Sequence, residues 1–268
     1  MGAKRHNPPV NQEDSEVPAV LITPDSPLRL LPENLDRKQM LFFDGIRVAV
    51  EMAERAYERL ADTLHRSAIT ESSHEDRFRL VPLCLLDAWS IVDSTSRLRG
   101  LLRQLPGFKS DATSLNIFLE RTEDIWGLRN LGQHLEGKIA RLAAKGHTVW
   151  GTLTWLVLVD DQTGKFKAGL LVSGSQFGTM HALPSVSNIK MYANIDHVTL
   201  TAGGHEANLS TVMRAIADFI PKLEGELTRL LSGHAFSGYA PAPSDYLIVA
   251  DMEVLRGDGG RGSDEPDT

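Results

Sequence analysis

Apolar residues recur at steps of three and four along most of this chain, and the pattern changes in one central stretch. From Asp36 to Arg66, Phe42, Ile46, Ala49, Ala53, Tyr57, Leu60 and Leu64 keep the helical period, with Arg47, Glu51, Glu54, Arg55, Glu58 and Asp62 on the other side. This predicts a first helix over about 36–66, capped by Asn34 or Asp36. A polar loop leads to a second helix over about 76–105, with Leu80, Leu83, Ile91, Leu98, Leu101 and Leu102 on one stripe. Asp87 falls in the middle of that stripe and Asp93 on its flank. Pro82 is tolerable in the first turns, and Pro106-Gly107 stops the helix.

The third helix is predicted over about 113–144, and its apolar stripe changes sides. Leu115, Phe118, Leu119, Ile125 and Trp126 share one side, whereas Leu131, Leu135, Ile139 and Leu142 lie nearly opposite. The switch falls between Gly127 and Gly132, so the helix kinks or restarts there, or meets different partners above and below. Beyond it, Thr148 to Val159 is rich in β-branched and aromatic residues. The stretch from Asp160 to Gly164 is a turn, and Lys165 to Val172 a return strand. A short strand near Met180 and a clearer one at Ile195–Thr201 extend this to a β-meander over about 148–201. A fourth helix is predicted over about 207–231, with Pro221 at a kink or restart.

These elements predict an α+β, mainly α fold: an antiparallel four-helix bundle with an antiparallel β-meander inserted between the third and fourth helices. A single domain would occupy residues 34–255. The proline-rich residues 1–33 read as a linker-like lead in which Ala19-Val20-Leu21-Ile22 can form a short docked segment. Tyr246–Ala250 can add a strand or docked segment, and the Gly/Asp-rich residues 256–268 read as a disordered tail.

Composition narrows the partners. The formal net charge of -7 argues against broad, nonspecific nucleic-acid binding; no basic stripe stands out and no DNA partner is expected. The single cysteine, Cys84, sits in an apolar helical run and reads as a buried thiol. No apolar run is long enough to span a bilayer and no signal peptide is expected, so the chain reads as cytoplasmic. The histidines outside the third helix lack metal-ligand spacing, and neither a metal nor another cofactor is expected. Phosphate-binding glycine loops, a nucleophile elbow and the His-Glu-x-x-His zinc motif are absent.

The candidate chemistry lies in Arg129-Asn130-Leu131-Gly132-Gln133-His134. Arg129 projects from the apolar side of the third helix, where an unpaired guanidinium is costly. Asp87 is in the same position on the second helix, so the expected resolution is a buried pair between them. Asn130 and His134 are one helical turn apart and share a face. Arg129 and His134 are about 140° apart on an ideal helix and converge best across a kink or a two-fold axis.

The hexapeptide resembles the R-N-x-x-x-H form of the Rx4–6H motif of the HEPN superfamily (higher eukaryotes and prokaryotes nucleotide-binding). Looser matches occur at Arg59/His65, Arg141/His147 and Arg229/His234, but only Arg129 is followed by asparagine. The resemblance covers the hexapeptide and the helix order, not the meander. It implies a metal-independent endoribonuclease of a toxin–antitoxin or phage-defence system, with RNA as substrate, an antitoxin as partner and a homodimer through the motif helices. On this reading His134 is the general acid or base, Arg129 holds the phosphate, Asn130 orients one of them, and Asp87 fixes Arg129. The alternatives are a noncatalytic helical interaction module, with Asp87 and Arg129 as a structural buried ion pair, and a small-ligand binding protein with its pocket between bundle and meander.

Overall fold

A computed structural model describes residues 20–32, 35–70, 74–105, 112–160, 162–174 and 190–231, with 245 and 249. Residues 1–19, the strand expected near Met180, most of 246–250 and the tail at 256–268 lie outside the described residues. The described fold is α+β and mainly helical, with six α-helices and one four-stranded antiparallel sheet.

Two long helices form the frame. Helix α1 spans Arg37–Ile69, and the Asp36 carboxylate caps it by accepting from the Lys38 and Gln39 N–H groups at 3.0 and 3.3 Å. Helix α2 spans His74–Gln104 with Pro82 inside it. The two run antiparallel: Gly45 lies against Leu101 at one end, and Arg59 against Asp87 nearer the other. Their seam keeps a seven-residue repeat, through Phe43, Ile46, Val50, Ala53, Leu60 and Leu64 on α1, and through Cys84, Ala88, Ile91, Thr95, Leu98 and Leu102 on α2. The α2 stripe is therefore rotated from the expected one, and Leu83 is 52% exposed.

The expected third helix is divided. Helix α3 spans Ala112–Arg121, α4 spans Asp124–Gln133, and a 3-10 turn over Glu136–Lys138 leads into α5, Ile139–Ala144. The first break has a cause outside its own sequence. Arg99 of α2 is buried, and its guanidinium donates to the Leu119 carbonyl and the Thr122 hydroxyl. The same hydroxyl donates to the Phe118 carbonyl at 2.7 Å. These bonds replace helical partners and end α3 there.

The sheet has strand order β2-β1-β3-β4, with β1 at Thr152–Asp160, β2 at Lys165–Val172, β3 at Ile195–Ala202 and β4 at His205–Asn208. Gly203 and Gly204, at φ 58° and 85°, make the two-residue turn between β3 and β4, a conformation that favours glycine. Helix α6, Leu209–Leu231, follows β4 directly; the Asn208 carboxamide oxygen accepts from the Thr211 N–H at 2.9 Å, and α6 runs on through Pro221. It packs on α3 through stacked Phe118 and Phe219 rings 4.9 Å apart, and also on β3 and α1.

Residues 20–32, within the linker-like lead, dock on this body. Leu21, Ile22 and Leu28 are buried, the Leu21 N–H donates to Glu54 at 2.6 Å, and Ser26 donates to Glu224. Burial raises both carboxyls above their ordinary range. Among the described residues no helix is long and apolar enough to cross a membrane.

Candidate functional site

Helix α4 carries the singled-out residues, and two glycines let it sit where it does. A β-carbon at Gly127 would lie 2.5 Å from the His205 ring on β4, and one at Gly132 would lie 3.0 Å from Trp89 on α2. The switch in the apolar stripe thus reflects two different partners, α2 and β4, together with breaks before and after α4. Trp89 is held in turn by donating from its indole N–H to the Trp150 carbonyl at 3.1 Å.

The structure corrects the expected pairing of Arg129. Arg129 binds Asp93 at 2.7 Å, whereas Asp87 binds Arg59 of α1 at 2.6 Å. The reason is rotational. Six residues of helix place these two carboxylates about 120° apart, so Asp87 follows the seam toward α1 while Asp93 turns to α4. The Arg129 and Asp93 side chains are 28% and 31% exposed, so this is not a buried pair. Asp93 also accepts from Arg97 at 2.6 Å.

The other two motif residues are open. The Asn130 side chain has no hydrogen-bond partner among the described residues, while its carbonyl accepts from the Lys138 ammonium at 3.1 Å. His134 is exposed, lies just beyond α4 at φ −125° and ψ 30°, and its ring has no partner among the described residues. Arg129, Asn130 and His134 therefore share one short element, while Asp87 is directed elsewhere. The structure brings in Asp93 and Lys138, which the sequence reading did not select as site residues.

A second Arg–Asp pair, between β3 and α6, has the opposite character. Asp196 is fully buried and accepts from Arg214 at 2.9 Å and from the Tyr192 and His197 N–H groups at 2.9 and 2.6 Å. Burial pushes its carboxyl up, but Arg214 and the two N–H donors outweigh this and hold it below the usual carboxylate range. Arg214 also donates to Thr211 and lies over the Tyr192 ring. Next to it, Ser210 accepts from the Val198 N–H at 3.0 Å and the Tyr57 hydroxyl at 2.9 Å. Burial pushes the Tyr57 phenol up to about 12 against the opposing bond to Ser210. His197, at φ 53°, sits in the bulge where two residues of β3 oppose one of β1. These bonds hold β3, α1 and α6 together.

A cleft of about 500 Å³ opens between the α1–α2 ends and β2, lined by Leu80, Val81, Cys84, Trp155, Lys167 and Leu171 among others. Trp155 is 6% exposed, covers Gly169, and its indole N–H has no acceptor among the described residues. Burial raises the Cys84 thiol to about 11, so it stays protonated at neutral pH. Among the described residues no group of three or more His, Cys, Asp or Glu side chains is placed to hold a metal ion.

Compared with family models, curated proteins and solved structures, the chain matches none.

Proposed function

We propose that this protein is a HEPN-like, metal-independent endoribonuclease whose site is the open face of α4 and its exit. On this reading α1, α2, the divided third helix and α6 form an antiparallel four-helix bundle, with the sheet as an insertion. The observation that carries the proposal is the accessibility of the motif. Arg129 is steadied by Asp93 at 2.7 Å yet partly exposed, and His134 is exposed with an unpartnered ring one short helix end away.

The chemistry follows from these groups. His134 takes the proton of an RNA 2′-hydroxyl as that oxygen bonds to the adjacent phosphorus and the bond to the leaving 5′-oxygen breaks. Arg129 neutralises the charge gathering on the phosphoryl oxygens, and Asn130 orients phosphate or imidazole. The leaving oxygen needs a proton, and Arg129 and His134 diverge around α4. A second copy across a two-fold axis supplies the complementary pair, so the active form is a homodimer, restrained in its host by an antitoxin. Induced expression of wild type, Arg129→Ala and His134→Ala tests this through growth and RNA integrity. Growth arrest and cut RNA with wild type alone are expected; equal growth and intact RNA in all three would overturn it.

The cleft beside Trp155 favours a second reading, a binding protein for a small apolar ligand bearing a hydrogen-bond acceptor. Its volume is in the range of ligand pockets, and the buried indole N–H lacks an acceptor. Titration with octanoate, followed through the indole resonance absent from Trp155→Phe, should show a saturable shift; no shift at millimolar octanoate would remove this reading. In the interaction-module reading the inter-helix pairs are Asp87 with Arg59 and Arg129 with Asp93, in place of Asp87 with Arg129.

A further inference from the structure

Beyond α4, the chain builds a pocket walled by basic side chains. Lys138, Arg141 and Lys145 follow one another at steps of three and four, which sets them along one side of α5. Helix α5 then closes with Gly146 at φ 66°; the Gly146 N–H donates to the Ala143 carbonyl at 3.1 Å and the His147 N–H to the Leu142 carbonyl at 2.9 Å. This two-bond closure reverses the chain and brings His147 toward the β3–β4 turn, 3.8 Å from a β-carbon built on Gly204.

The turn forms the opposite wall. A β-carbon on Gly203 would lie 2.8 Å from Leu131 of α4 and 3.1 Å from Leu142 of α5, so the bare backbone wedges between the two helices. His205 follows it, against Gly127. The cavity is about 50 Å³ and is lined by Lys138, Arg141, Lys145, His147 and His205 together with Leu131 and Leu142. Among the described residues no carboxylate lines it, in a chain whose net charge is -7. Glu206, beside His205, is turned to the Thr201 hydroxyl at 3.2 Å. Lys138 already binds the Asn130 carbonyl, which joins this pocket to the motif helix. Among the described residues the Arg141 and Lys145 side chains have no hydrogen-bond or ion-pair partner.

Three cations and two imidazoles, with no carboxylate among the described lining residues, repel one another where they are charged, and an anion relieves that repulsion. The cavity is far below the size of a base or a drug-sized molecule and suits a single tetrahedral oxyanion. We infer that the pocket formed by α5 and the Gly203–Gly204 turn is a phosphate subsite that holds the backbone of a single RNA strand beside the motif helix. The identity of the strand rests on the ribonuclease reading; the demand for phosphate rests on the pocket alone.

Fluorescence anisotropy of the full chain with an end-labelled RNA of about a dozen nucleotides, over about 50 to 200 mM KCl, tests the inference. The probe variant is Arg141→Gln/Lys145→Gln, at exposed positions where the fold should be indifferent. Wild type and His134→Ala should bind alike. The double variant should bind about tenfold or more weakly, and its dependence of log affinity on log salt should flatten by about 0.7 for each phosphate that is no longer neutralised. Unchanged affinity and slope in the double variant, or no binding by wild type, would overturn the subsite. The two proposals fail separately. RNA bound through Arg141 and Lys145 but never cut would remove the ribonuclease and keep the subsite. Cutting that needs His134 but ignores Arg141 and Lys145 would do the reverse.

Discussion

Arg214–Asp196 and Arg129–Asp93 are the same two residue types at nearly the same separation, 2.9 and 2.7 Å, yet they do different work. Asp196 is fully buried and takes three donors, and Arg214 divides itself among Asp196, Thr211 and the Tyr192 ring. The carboxylate has no exposed surface to offer a ligand. Asp93 and Arg129 are each roughly one-third exposed, and Arg129 has donors to spare. A charged pair whose carboxylate is buried and shared among three donors fastens elements together, whereas one that stays partly exposed can hold a guanidinium ready for something else. Residue type and distance alone do not distinguish the two.

The largest effect should come from the buried pair. Asp196→Ala strands Arg214 and two N–H groups and should cost about 3 to 5 kcal/mol in urea unfolding. A cost as small as that of an exposed pair would break the comparison. Next, the pH dependence sharpens it. The folded Asp196 carboxyl titrates below its unfolded value of about 3.9, so its stabilisation is complete at neutral pH. As pH falls through the folded value that stabilisation is lost, and the difference in stability between wild type and Asp196→Asn should shrink below about pH 4. Gly203→Ala combines a left-handed backbone with contact against Leu131 and should cost about 2 kcal/mol, whereas Gly127→Ala meets only the exposed ring of His205, which can swing aside, and should cost about 1 kcal/mol or less. Smallest in stability is Asp93→Ala, at about 0 to 1 kcal/mol. If Asp93 positions Arg129 for cleavage, the same variant should nonetheless slow RNA cutting about 10- to 100-fold. Wild-type cleavage by Asp93→Ala would reduce this pair to surface decoration.

The limits of sequence reading are visible in these same residues. The α1 cap at Asp36, the three long helices and the β1–β2 hairpin follow local rules, and local rules are written in adjacent residues. The division of the third helix is not, because its cause is Arg99, which reaches Leu119 from 20 positions earlier. The partner of Arg129 turned on the rotation of α2. A stripe drawn through Leu80 and Leu83 pointed Asp87 at α4; the seam through Cys84, Ala88 and Ile91 points Asp93 there instead. The basic pocket was missed, although Lys138, Arg141 and Lys145 stand at helical spacing with His147 two residues on. What no pattern reveals is that a glycine turn some sixty residues later closes over them.

That glycine turn also sets an order of assembly. Helices α1 and α2 complete each other as soon as both have been made, because their contacts join neighbours along the chain. Helices α3 and α4 must wait. Phe118 is covered by Phe219, and Leu131 by the loop at Gly203, both synthesised long afterwards. A nascent chain halted before β3 would display a finished hairpin beside helices with only part of their cover, and the basic pocket would lack its glycine wall. The cover of α3 and the wall of the basic pocket are therefore added only once β3, β4 and α6 have been made.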